Sequence, residues 1–121
     1  MAKDKKAKLP DSVSILGTEY IIETIDPPER GDYVGFCSKA EHKIQIVDLS
    51  KHPEWKDGTD IDVMTKETMR HEIVHAFFNE SGLKDSSNVF TGGWSTNEEM
   101  IDWIAIQGPK IMAAWKEAGC L

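Results

Sequence analysis

His71-Glu72-Ile73-Val74-His75 lies inside a longer segment with helical spacing. From about Asp62 to Glu80, apolar residues recur at Met69, Ile73, Ala76 and Phe77, the period of one face of an α-helix. Asp62 or Thr65 supplies a starting cap, and Ser81-Gly82 a stop. On such a helix residues i and i+4 stand one above the other, so His71 and His75 offer both imidazoles to one point. That spacing suits a single zinc ion. Glu72, one residue on, stays near the same edge and reaches a water on the metal without ligating it.

Two histidines hold zinc poorly, and a catalytic site takes three protein ligands with a fourth position open. A third histidine six residues after His75 is missing, because Phe78 and Ser81 occupy the positions of the extended motif. Cys37 and Cys120 are not spaced as a metal-binding pair. A carboxylate on a second helix remains, within Asn97-Glu98-Glu99-Met100-Ile101-Asp102. Thr96 to Glu99 has the form of a capping box, with Thr96 as N-cap and Glu99 at N3. That leaves Glu98 as third ligand, with an exchange of roles between Glu98 and Glu99 as the alternative. Asp102 shares the Glu98 face and can accept the free ring N–H of His71, which fixes the tautomer and raises ligand basicity. Met100, Trp103, Ile104 and Ile111 continue an apolar stripe, and Trp103 and Trp115 read as core. Gly108-Pro109 predicts either a kink or two helices meeting end to end.

The first half reads as strands. Val13–Leu16 and Thr18–Ile25 form one bent strand or a tight hairpin around Gly17. Tyr33–Ser38 and Lys43–Val47 form another hairpin, joined by Lys39-Ala-Glu-His42. The expected class is α+β: a small antiparallel sheet of about three strands, then an active-site helix and a C-terminal ligand helix. Residues 11–121 form one domain behind a disordered, lysine-rich tail over 1–10. An edge strand near Lys43–Val47, with Gln45 and Ile46, is placed to bind an extended peptide by main-chain hydrogen bonds. Trp94, just before the ligand helix, is a candidate to line the cleft, with a core or lid role as the alternative. Tyr20, Tyr33, His42 and His52 are all candidates for a transition-state donor, and the sequence does not choose among them.

Composition narrows the classes. At 121 residues, 40% hydrophobic and 29% charged, the chain has the make-up of one ordinary globular domain. No apolar run approaches the roughly 18 residues of a membrane span. Met1–Lys8 has no apolar core behind its charges, so no secretory leader is expected. With only two cysteines, free thiols in a reducing cytoplasm are expected. The net charge is −7, and the first eight residues carry four lysines against one aspartate, so the rest is at −10. A domain this acidic has no basic stripe for phosphates, which argues against nucleic-acid binding. An acidic mimic of DNA would rest on that charge alone.

Asn-Glu-x-x-x-Asp from Asn97, following His-Glu-x-x-His from His71, resembles the gluzincin pattern of thermolysin-type metallopeptidases. The stretches Arg70–Leu83, Asn97–Gln107 and Pro109–Ile111 are similar to small phage- and prophage-encoded zinc peptidases, the minigluzincins, a group that includes the ImmA/IrrE-like proteins. The resemblance covers about the C-terminal half. It implies a zincin-like fold and zinc on His71, His75 and Glu98. It also implies Glu72 as general base, a protein or peptide substrate, and the cytoplasm of a bacterial host. The rival expectation is a zinc-stabilised binding or assembly protein that cleaves nothing.

Overall fold

A computed structural model describes residues 9–29, 33–52, 60–84 and 94–121. Of the expected tail over 1–10, Met1–Lys8 lies outside the described residues and Leu9 packs against the sheet core; Trp55 and most of the polar stretch before Trp94 also lie outside them.

Two hairpins make the sheet. β1 (Ser12–Ile15) pairs antiparallel with β2 (Thr18–Ile25) across the two-residue turn Leu16-Gly17. The tight-hairpin alternative is the one that forms. Both turn residues have positive φ, 50° and 88°, the geometry of a type I′ turn, which matches the strand twist. β3 (Gly35–Ser38) and β4 (Lys43–Val47) form the second hairpin as expected.

The order is β1-β2-β4-β3, and β2 runs parallel to β4. The sheet is therefore mixed and four-stranded, not antiparallel with about three strands. The connection from β2 carries the chain to the far edge at β3, and the hairpin folds β4 back into the gap. β4 is thus an interior strand, and β3 and β1 are the edges. The second hairpin is legible in local sequence and the first is one of two local alternatives; their pairing is a non-local choice, made by burying both apolar faces together.

One face of the sheet carries Ile15, Tyr20, Ile22, Ile44 and Ile46, all buried. Onto it packs α1 (Ile61–Glu80), with Met69, Ile73 and Ala76 against that cluster. Phe77 stays exposed. The N-cap is Asp60, whose side chain accepts the Val63 N–H at 3.1 Å, not Asp62 or Thr65. A second cluster of Val47, Leu49 and Ile61 closes the end where α1 begins.

α2 (Glu98–Glu117) packs its buried residues Ile101 and Ala105 beside α1. It is one continuous helix that includes Pro109, so the sequence interruption does not divide it. Beyond Ile111 its residues are exposed. Trp103 and Trp115 are about half exposed, not core, because α2 meets the rest of the domain along only part of its length. The class is α+β. No described helix is long and apolar enough to cross a membrane.

Candidate metal centre

The face of α1 turned toward β3 and α2 is unusual for a helix in a small domain. Its buried positions include Thr65, Thr68, Glu72 and Asn79, where core helices bear apolar side chains. Thr68, Glu72 and Asn79 line a cleft of ≈ 650 Å³ bounded by the β3 edge, α1 and the start of α2.

His71, Glu72 and His75 offer ligand atoms within 4.8 Å of one another, a group that could hold a metal ion. α2 adds a carboxylate. Glu98 Oε2 lies 3.0 Å from His71 Nε2, and Glu98 Oε1 lies 2.9 Å from His75 Nε2. Glu72 Oε2 is farther off, 4.0 Å from His71 Nε2. The Glu98 carboxylate therefore bridges both imidazoles, while Glu72 stands behind them, only 6% exposed.

On its other nitrogen, His71 Nδ1 meets Asp102 Oδ1 at 2.6 Å. A carboxylate only accepts, so Nδ1 carries the proton. A neutral imidazole has no second N–H for Glu98, so the Nε2 contact calls for another proton or a cation. His75 Nε2 faces the same carboxylate, and burial chiefly lowers its proton affinity, with Glu98 opposing. A cation among the two Nε2 atoms and Glu98 meets the needs of all three groups. Tetrahedral zinc bonds of about 2.0–2.2 Å set neighbouring donors about 3.3–3.5 Å apart. The observed 2.9 and 3.0 Å are within about half an ångström of that spacing. The donor set fits a metal ion.

Glu72 is held in an enclosed setting. Burial pushes its carboxyl up to about 7; His71 opposes this, and Glu98 and Asp102 add to it. It sits against a glycine by necessity. Gly35 faces α1 from the edge strand, and a Cβ there would stand 2.8 Å from Glu72 Oε2 and from Thr68 Cγ2. The missing side chain is the space the carboxylate uses. Sequence reasoning passed over Gly35; a glycine within a strand was the available signal.

The α2 cap differs from the expected box. Asn97 rather than Thr96 is the N-cap, accepting the Met100 N–H at 2.8 Å, so Glu98 opens the first turn. Glu98 is singled out by its distances to the histidines, not by Glu99 being engaged in a cap.

The structure brings together His71, Glu72, His75, Glu98 and Asp102. It does not bring Gln45, Ile46 or Trp94 to them. Gln45 points to the other sheet face and donates to Glu23 Oε1 at 3.2 Å, and Ile46 is 1% exposed in the core. The edge assigned to β4 belongs to β3, since β4 is paired on both sides. Trp94 packs edge-on against Phe78, with ring centroids 5.7 Å apart, and the cleft is lined instead by its neighbours Ser95 and Thr96. Of the four donor candidates, Tyr33 lines the cleft. Tyr20 is buried and donates to Glu80 at 2.7 Å, His42 stacks on Tyr20, and His52 is buried away from the cleft.

No family model matches the chain, and no curated protein or solved structure does. The reading of the site rests on its own residues.

Proposed function

We propose that the chain is a zinc-dependent peptidase of the gluzincin type. One observation carries the reading: a single carboxylate, Glu98, spans both Nε2 atoms of a His-Glu-x-x-His helix at 3.0 and 2.9 Å. A second, buried carboxylate, Glu72, stands beside them in an accessible cleft. His71, His75 and Glu98 would hold the zinc, and Asp102 would hold His71 in its ligating tautomer. Bound zinc supplies a Lewis acid and lowers the pKa of a coordinated water.

Glu72 takes a proton as water oxygen bonds to the peptide carbonyl carbon. It gives that proton to the amine nitrogen as the C–N bond breaks. Burial raises the proton affinity of this carboxyl, which favours its taking up the proton from water. Tyr33, which lines the cleft, would donate to the developing oxyanion. An extended peptide would lie along the β3 edge, Gly35–Ser38, through main-chain hydrogen bonds. Val34, Met64 and Ile106 provide apolar lining. Both cysteines are free, in keeping with the reducing cytoplasm where we place the protein.

The rival reading, a metal that only staples α1 to α2, draws on how little of α2 packs elsewhere. A buried carboxylate beside the site speaks against it, since a closed structural site has no use for a base. Metal analysis and a mixed peptide library read by mass spectrometry separate the two. Peptidase action requires about one zinc per chain, cleavage by the native protein, and loss of cleavage in Glu72→Gln with zinc retained. Cleavage that survives Glu72→Gln refutes the mechanism, and a zinc-loaded native chain that cleaves nothing supports the staple.

A further inference from the structure

Arg70, immediately before the first histidine, makes a contact that neither the metal nor the cleavage step uses. Its Nε donates to the backbone carbonyl of Ala105 at 2.6 Å. In an α-helix that carbonyl accepts from the N–H four residues on. Four residues on is Pro109, which has no N–H. Ala105 is 1% exposed, so its carbonyl has no free access to water, and a buried unmet acceptor is costly. The guanidinium of α1 supplies the donor that the proline of α2 lacks.

The place of this contact matters. Asp102 is three residues before Ala105 and Glu98 seven, both spacings along one helix face. On α1, Arg70 adjoins His71. The bond thus ties the two helices about one turn from Asp102 and about two turns from Glu98, the residues that must meet the histidines. A slide or rotation of α2 would separate Glu98 from both Nε2 atoms, and the Arg70 bond opposes it. With Ala at 109, the carbonyl would be satisfied within α2 and this demand for Arg70 would vanish.

We infer that Arg70 is a positioning residue, which uses the carbonyl freed by Pro109 to set the register of α2 that delivers Glu98 and Asp102 to the histidine pair. The inference rests on the metal-site reading above, and its test has one arm that needs no metal.

Four proteins are compared: native, Arg70→Ala, Pro109→Ala and the double variant. Zinc affinity is measured by competition with a chromophoric chelator. Arg70→Ala alone should weaken zinc at least tenfold, and in the Pro109→Ala background the same change should cost less than about threefold. In metal-free protein, the His71 Nδ1 proton bonded to Asp102 is followed by NMR of the ring. Its protected signal should be lost in Arg70→Ala and in Pro109→Ala alike, and in the Pro109→Ala background removal of Arg70 should change it no further. Circular dichroism confirms that each variant is folded, and Arg70→Lys serves if Arg70→Ala is not. Equal effects of the Arg70 change in both backgrounds, or none in either, overturn the inference. Native protein that binds no zinc but shows the ring-proton pattern leaves Arg70 as the register clamp and removes the metal reading alone.

Discussion

Gly35 and Glu72 occupy one small volume from opposite sides, so each constrains the other. Gly35→Ala would place a methyl 2.8 Å from Glu72 Oε2. The backbone cannot retreat far, because β3 is hydrogen-bonded to β4. The carboxylate must move, at a stability cost of about 1–3 kcal/mol from overpacking. Peptide cleavage should fall at least tenfold while zinc stoichiometry holds, since Gly35 touches no ligand atom. Unchanged turnover would show that the placement of Glu72 tolerates the shift.

Glu72 also makes a pH prediction for the metal-free chain. Burial raises its carboxyl from an ordinary 4.5 to about 7, so the folded state favours the protonated form. That contribution to stability is full below about pH 4.5 and is lost as pH rises through about 7. Glu72→Gln stays neutral throughout. In chelator, its melting temperature should gain on the native protein between pH 5 and pH 8. A gap that does not change with pH contradicts the assignment.

At the scale of elements, the termini of helices and the turn of the first hairpin carry the local information. Leu16 holds φ 50° while 60% exposed, so it accepts left-handed backbone with little burial in return. A β-carbon there costs on the order of 1–2 kcal/mol. Leu16→Asn makes the turn Asn-Gly, the favoured type I′ pair. Chemical denaturation should show a gain of about 1 kcal/mol, with the site unaffected. A loss would mean that Leu16 contributes packing not apparent from its exposure.

The helix caps show where one-dimensional reading slips. Asp60 and Asn97 cap α1 and α2, yet Asp62, Thr65 and Thr96 fitted the same rules, because cap preferences hold for several residue types within one turn. The shift matters little to α1 and much to the argument for Glu98. Similarly, Trp103 and Trp115 sit at helical spacing but stay half exposed. Periodicity reveals which residues share a face, and only a neighbour decides whether that face is covered.

Over the whole molecule, α1 is the hub: the sheet packs on one side of it and α2 on another. The contact with α2 centres on the buried Ile101 and Ala105 and on the polar bonds from Arg70 and His71. A metal that binds only the native arrangement therefore adds directly to global stability. Zinc at a hundredfold excess over its Kd should add about 2.7 kcal/mol, read as a rise in Tm that chelator reverses. Glu98→Gln should remove most of that rise, and a chelator-insensitive Tm would argue that no metal joins the helices.

Sequence alone determined the helix that bears His71, Glu72 and His75, because i, i+4 geometry is local and follows from the backbone period. It also determined the α+β class and the second hairpin, while for the first it left a bent strand and a tight hairpin open. Tertiary structure decided that β4 is interior and β3 an edge, since strand order depends on which apolar faces are buried together. It decided that Gln45, Ile46 and Trp94 lie outside the cleft and that Gly35 borders it. It also decided that Arg70 meets the carbonyl Pro109 leaves free. These pairings join residues far apart in sequence, and no local period records them.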